Sequence, residues 1–80
     1  MTKSELKNIL EQALIIPAAY SLDGGNPNES YVLSHEPNGQ WAVYYSERGS
    51  RNDLRLFDSE SSACDYFLNQ VLRDPTTRTR

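Results

Sequence analysis

The sequence has a single cysteine and a single histidine among its 80 residues, and these two shortages exclude several kinds of site. One cysteine, Cys64, cannot form a disulfide within the chain, which fits a reducing compartment. Cys64 and His35 show no recognised zinc-ligand spacing, so we expect no metal site. The adjacent Gly24 and Gly25 lack the strand, Lys and Ser/Thr that accompany a phosphate-binding loop, so we expect no cofactor.

Long apolar runs are also missing. No run approaches the about 20 residues that a transmembrane helix needs. The apolar run from Ala13 to Ile16 is too short for the core of a signal peptide, and it follows the acidic Glu5 and Glu11. These features predict a soluble, cytoplasmic protein with no membrane contact.

Basic residues are scarce in the body of the chain. The whole sequence has 11 acidic and 8 basic residues, a net charge of −3. Arg78 and Arg80 lie in the last three residues, so the body up to Asp74 has six basic residues against 11 acidic ones, a balance of −5. This charge argues against nucleic-acid binding and suits a basic protein partner. The alternative is that the charge only keeps a small protein soluble.

The N-terminal segment predicts an amphipathic helix. Thr2 and Glu5 have the spacing of a capping box, and Pro17 should end the helix at or before Ile16. The alternation that follows also permits a short extended segment within 15–22. The predicted apolar stripe consists of Leu6, Ile9, Leu10, Ala13 and Leu14.

The middle of the chain predicts an antiparallel meander of three strands. Asn38-Gly39 is a strong signal for a type I′ hairpin turn between the first two. The polar segment 48–53 is expected to connect the second strand to the third. The predicted strands are Glu29–Glu36, Gln40–Glu47 and Leu54–Phe57.

A second helix, beginning near Asp58 and ended by Pro75, completes an α+β fold of order α-β-β-β-α. We expect a single domain over residues 1–75 and a flexible C-terminal tail over 76–80. Both helices should pack on one face of the sheet, leaving Tyr44 and Val32 as an apolar patch on the other. The apolar face of this helix consists of Ala63, Cys64, Phe67, Leu68, Val71 and Leu72.

One constellation resembles that of a small ribonuclease, which can work with a Glu base, a His acid and an Arg on the phosphate. Here these are Glu47, His35 and Arg48. With the turn at Asn38-Gly39, His35 pairs near Ala42, which places Glu47 about 16 Å along the sheet. That separation and the acidic body favour a protein that is not an enzyme and has no catalytic residues.

Tyrosine is abundant, with five residues in a short chain, and it suits the centre of an interface. Alternation along the second strand turns Tyr45 inward with Trp41 and Val43. Tyr44 and Tyr66 are the better candidates for exposure. At the end of this strand, 47–49 has two interpretations: a turn in which Gly49 adopts positive φ, or an anchor for a charged partner.

Residues 29–73 carry a pattern that resembles small bacterial immunity proteins of polymorphic toxins, including those of contact-dependent growth inhibition systems. The pattern is an aromatic strand, a Phe with an acidic residue, and a helix. The matching residues are Tyr44, Tyr45, Glu47, Arg48 and Gly49, then Phe57, Asp58 and Glu60, then Ala63, Cys64, Tyr66, Phe67 and Leu68.

The resemblance implies a cytoplasmic antidote that binds one cognate toxin domain and occludes its functional surface. Many such toxins are nucleases with basic surfaces, which agrees with the acidic body. The alternative is a small adaptor or regulatory subunit, either monomeric or a weak homodimer paired through a sheet edge. The predicted toxin contacts are Tyr44, Glu47, Asp53, Asp58, Glu60, Asp65 and Tyr66.

Overall fold

A four-stranded sheet lies between two helices in sequence, in a computed structural model that describes residues 1–77. The predicted α+β class is confirmed, with a fourth strand added. Within the described residues, neither helix has both the length and the apolar character that a membrane crossing requires. The elements are α1 (Lys3–Gln12), β1 (Tyr20–Ser21), β2 (Ser30–His35), β3 (Trp41–Glu47), β4 (Ser50–Phe57) and α2 (Glu60–Arg73), with 3-10 turns at Pro17–Ala19 and Pro75–Thr77.

Strand β1 makes the sheet mixed. β2, β3 and β4 form the expected antiparallel meander, and β1 adds to its outer edge in parallel, with Tyr20 opposite Tyr31. The prediction of three strands is therefore incomplete. A strand of two residues shows too little alternation to be distinguished from a loop by sequence pattern.

The two hairpin turns differ from those that the sequence predicted, because the pair of successive positive φ angles lies in the second turn and not in the first. Within the first turn only Gly39 has a positive φ, so the turn is not type I′, which needs two such residues in succession. Arg48 and Gly49 do have successive positive φ angles, 51° and 80°, between the paired Glu47 and Ser50. The predicted connection 48–53 is thus a two-residue turn followed by the first half of β4. The first half of β4 was missed because its residues are polar and exposed, so apolar and polar side chains do not alternate there.

The main core lies between the sheet and the helices, as predicted. Phe67 of α2 is fully buried, and Leu33 and Val43 present the sheet side of the same cluster. Cys64 is buried within it, and burial raises the pKa of the thiol, as expected of an inert core cysteine. The other buried members are Leu6, Leu10, Ile15, Leu22, Ala63 and Val71.

Tyr44 and Val32 on the opposite face of the sheet are buried, which contradicts their predicted exposure. Tyr44 is only 1% exposed and packs with Val32 and Ala42. Its hydroxyl donates a 2.7 Å hydrogen bond to the carbonyl of Gly25, in the loop that precedes β2. The guanidinium of Arg51 lies 4.4 Å from the centre of the Tyr44 ring. The loop and the arginine together cover Tyr44, while Leu56, which pairs with Ala42 on this face, stays 52% exposed.

The last structured element extends into the segment predicted as a tail. The backbone N–H of Ile16 donates to the carbonyl of Thr77 at 2.6 Å, and Thr77 is buried. Its hydroxyl donates to the carbonyls of Val71 and Asp74 at 2.9 and 2.8 Å. These bonds attach the end of α2 to the segment after α1. Residues 78–80 of the predicted tail lie outside the described residues.

Helix α1 begins as predicted and ends earlier than its apolar stripe. The capping box is formed, with the Thr2 hydroxyl accepting from the N–H of Glu5 and the Glu5 carboxylate accepting from the N–H of Thr2. At the other end, the N–H of Leu14 bonds Glu11 and that of Ile15 bonds Leu10, which is a Schellman motif. Leu14 therefore takes the left-handed position, with φ of 60°, and is 63% exposed.

Replacing Leu14 with glycine should stabilise the protein by about 1 kcal/mol. An L-residue in the left-handed region costs roughly 1–2 kcal/mol, and the greater freedom of glycine in the unfolded chain offsets part of this gain. Urea unfolding followed by circular dichroism measures the change. Lys7→Gly, at an exposed position inside the same helix, is the control and should destabilise by about 1 kcal/mol. Equal destabilisation by both changes would contradict the assigned helix end.

Candidate functional site

A cavity of about 290 Å³ opens beside α2, on the same face of the sheet as the main core. Tyr66 and Gln70 reach it from α2, where a spacing of four residues places them on one helix face. At one end, the Tyr66 ring contacts Phe57 with ring centres 5.3 Å apart. The complete lining is Tyr31, Val43, Tyr44, Tyr45, Asp53, Tyr66, Gln70 and Asp74.

Asp74 is held in a fixed position at the wall of this cavity. One carboxylate oxygen accepts the Tyr31 hydroxyl at 3.0 Å, and the other accepts the N–H and hydroxyl of Thr76 at 3.0 and 2.7 Å. The Thr76 bonds are the main cause of a lowered pKa for Asp74. Burial, then the bond to Asp74, raises the pKa of Tyr31 to about 12. At neutral pH the wall therefore has an ionised carboxylate and a protonated phenol.

Asp53 reaches the cavity because β4 is irregular at this point. Val43 pairs with Arg55 and Tyr45 pairs with Asn52, so one residue of β3 faces two of β4, which is a β-bulge. Asp53 lies in the bulge with φ of 54°, a conformation that Asp tolerates better than most residues. Its charge contributes to the raised pKa of Tyr31. The bulge thus brings a carboxylate towards the tyrosines.

A second cavity of about 230 Å³ adjoins the first, since Tyr31, Tyr45 and Asp74 line both. Burial and the negative charges of Glu29, Glu47 and Asp74 raise the pKa of Tyr45. The rings of Tyr31 and Tyr45 meet edge to face, 4.9 Å apart. We call the two cavities together the acidic tyrosine groove, formed by Tyr31, Tyr45, Tyr66, Asp53 and Asp74, with Glu29 in the lining of the second cavity. Glu47 lines neither cavity, but it lies two residues after Tyr45 on β3 and therefore on the same side of that strand.

The acidic tyrosine groove has no cation of its own among the described residues. No Lys or Arg of residues 1–77 lines either cavity. The two ion pairs in this part of the chain join Lys3 to Asp23 and Arg51 to Glu36, so neither involves a groove carboxylate. The groove lining therefore places carboxylates beside aromatic rings with no basic side chain among the described lining residues. That combination attracts a cation.

The predicted contact residues divide into three groups. Asp53 of β4 and Tyr66 of α2 line the groove, and Glu47 lies beside it on β3, two residues after Tyr45. Tyr44 contributes to the cavity lining, but its side chain is buried and its hydroxyl bonds to the loop on the other face. The third group, Asp58, Glu60 and Asp65, lies at or near the start of α2.

The third group includes residues with structural contacts. A carboxylate oxygen of Glu60 accepts the backbone N–H of Lys3 at 2.8 Å, which connects the start of α2 to α1. Asp58 accepts a 3.2 Å hydrogen bond from the Gln40 side chain. Asp65 is exposed on α2. These residues do not line either cavity of the groove.

Sequence reasoning missed Tyr31, Gln70 and Asp74 as site residues. The alternation of side chains along β3 correctly predicted that Tyr45 and Trp41 face the helices. It does not show whether a helix covers a residue on that face. For Asp74 one local signal was present. An Asp before Pro-Thr at a helix end offers its carboxylate to the following backbone, which is the bond that fixes it here.

The residues of the ribonuclease-like constellation lie apart. His35 stacks on Trp41 with ring centres 4.2 Å apart and an angle of 4°, and it pairs across the sheet with Trp41 rather than with Ala42. Glu47 is at the other end of β3, six residues or about 20 Å away. No group of three His, Cys, Asp or Glu side chains within 1–77 is arranged to hold a metal ion.

Comparison with protein-family models, curated proteins and solved structures gives no match. The strand-and-helix pattern of residues 29–73 therefore remains a resemblance in sequence. The chemistry of the acidic tyrosine groove provides the structural basis for a functional proposal.

Proposed function

We propose that this chain is an immunity protein that binds a basic toxin domain and occludes its functional surface. The observation that carries the proposal is the acidic tyrosine groove, where Asp53 and Asp74 lie beside three tyrosines with no cation among the lining residues. Tyrosines supply rigid contact area and hydroxyls at the centre of protein interfaces. The carboxylates supply the complementary charge for a cationic partner.

The charge of the whole body supports the same partner class. A body charge of −5 speeds encounter with a basic surface and repels nucleic acid. A nuclease that is covered by such a protein can no longer bind the phosphates of its substrate, because its basic side chains are paired with the groove carboxylates. The mechanism requires no catalysis by the immunity protein. It acts in the cytoplasm, where the toxin would act.

Coexpression tests the proposal. The tagged chain is purified from its native host at low salt, and basic proteins recovered in equal amount are identified and expressed alone. We expect one of them to arrest growth, and coexpression of this chain to restore it. Groove-dependent binding should weaken as salt screens the charges. Growth arrest that is unchanged by coexpression of this chain would refute the immunity function for that partner.

A small adaptor that pairs through β4 is the second candidate, favoured by a separate observation. β4 is an edge strand, and Leu54 and Leu56 are 45% and 52% exposed on one side of it. Exposed edges with apolar side chains can pair with another strand. Native mass spectrometry should show a homodimer that Leu56→Lys disrupts. A monomer at micromolar concentration would remove this candidate's homodimeric form.

A further inference from the structure

We infer that the cavity beside α2, the larger of the two that form the acidic tyrosine groove, is a socket for one arginine side chain of the partner. The inference rests on the proposed function and specifies the chemistry of that site. The cavity beside α2 measures about 290 Å³ and lies at the small end of the range for ligand pockets, about 300–1,000 Å³. A single long side chain suits this space better than a larger ligand does.

The walls of the socket match the two parts of an arginine. Val43 and the tyrosine rings provide apolar surface for the aliphatic stem, which arginine often buries. The aromatic rings also provide faces on which a planar guanidinium stacks. Tyr31 and Tyr45 meet at an interplanar angle of 66°, so their ring planes offer differently oriented surfaces.

The acceptors of the socket match a guanidinium better than an ammonium. A guanidinium has five N–H donors in a planar fork and pairs well with carboxylates. Asp74 is already oriented by Tyr31 and Thr76, while Asp53 has no cationic partner in the described residues. The Gln70 side chain adds an amide oxygen. Several acceptors around one cavity, with Asp74 held in position, favour arginine over lysine.

The opposite face of the same sheet already holds an arginine in this way. The Arg51 guanidinium lies 4.4 Å from the centre of the Tyr44 ring and pairs with Glu36 at 2.9 Å. A tyrosine ring on β3 and a carboxylate just after the end of β2 thus form a guanidinium site within this fold. The groove repeats that pair of groups, with Tyr45 or Tyr31 beside Asp53 and Asp74, and lacks the arginine.

Titration of the full-length chain with blocked amino acids tests the socket without the toxin. The probes are Nα-acetyl-arginine methylamide, its lysine counterpart and its uncharged citrulline counterpart. We expect the arginine probe to shift the NMR ring signals of Tyr31, Tyr45 and Tyr66 saturably. The lysine probe should bind about tenfold more weakly, and the citrulline probe should cause no saturable shift.

Two variants locate the site. Asp53→Asn removes a groove charge while keeping a residue that tolerates positive φ, and it should weaken the arginine probe about fivefold. Asp65→Asn removes an exposed charge of α2 outside the groove and should leave binding unchanged.

Equal shifts with the arginine and citrulline probes would overturn the socket, as would equal weakening by Asp53→Asn and Asp65→Asn. These results are separable from failure of the proposed function. If the protein captures a toxin but does not bind the arginine probe, the immunity function is supported and the socket is refuted. A selective arginine site in a protein that protects against no captured toxin would leave the socket and remove the immunity function.

Discussion

Replacing Tyr44 with alanine is expected to lower the free energy of unfolding by about 3–5 kcal/mol, the usual cost of removing a buried aromatic side chain. A chain of this size has a total stability on the order of 5 kcal/mol, so the variant should retain only about 0–2 kcal/mol and populate the unfolded state measurably near room temperature. Urea titration followed by far-UV circular dichroism measures the loss.

The size of this effect follows from the position of Tyr44. It is the largest fully buried side chain, and with Val32 and Ala42 it forms the whole apolar cluster on its face of the sheet. Its ring also supports Arg51, and its hydroxyl holds Gly25 of the covering loop. Alanine would therefore leave a cavity and detach the two groups that cover this side chain.

Tyr44→Phe is the matched control for this prediction. It keeps the ring and removes only the hydrogen bond to Gly25, for a loss of about 1 kcal/mol. A loss below about 1 kcal/mol in Tyr44→Ala would show that the loop and Arg51 do not cover Tyr44 in solution.

Much of the fold follows from local signals in the sequence. The capping box at Thr2, the apolar stripe of α2 and the order of the meander were all predicted, because each depends on residues close together in the chain. The start of β4 was missed for a different reason. An edge strand with both faces exposed has no burial pattern, so its polar first half looks like a loop.

The candidate site depends on packing between distant segments, which alternation alone does not supply. The prediction placed Tyr44 outward with correct periodicity, yet a loop 19 residues away covers it. Asp53 lines a cavity because of a β-bulge that no sequence motif predicts. Charge and tyrosine content indicated the chemistry of the site, while its location required the folded chain.

The largest functional effect is expected from changing charges at the groove. Combining Glu47→Lys with Asp53→Asn should weaken capture of the toxin domain about 100-fold at physiological salt. Close interfacial charge pairs contribute about 1.5–7 kcal/mol, and each 1.4 kcal/mol is about tenfold in affinity. Asn is chosen at position 53 because it tolerates the positive φ found there. Calorimetry or surface plasmon resonance gives the two dissociation constants.

A control variant with the same change in net charge distinguishes binding at the groove from a general attraction to the acidic protein. Asp65→Lys with Asp58→Asn also raises the net charge by three, from −3 to zero, but changes residues at or near the start of α2, whereas Asp53 lines the first cavity and Glu47 lies two residues from Tyr45 on β3. We expect this control to bind within about threefold of the parent, since exposed charges distant from an interface act mainly on encounter rates. Equal weakening in both variants would mean that the acidic body attracts the partner without using the groove. Weakening in the control alone would move the interface to the start of α2, where Asp58 and Asp65 were also predicted to bind.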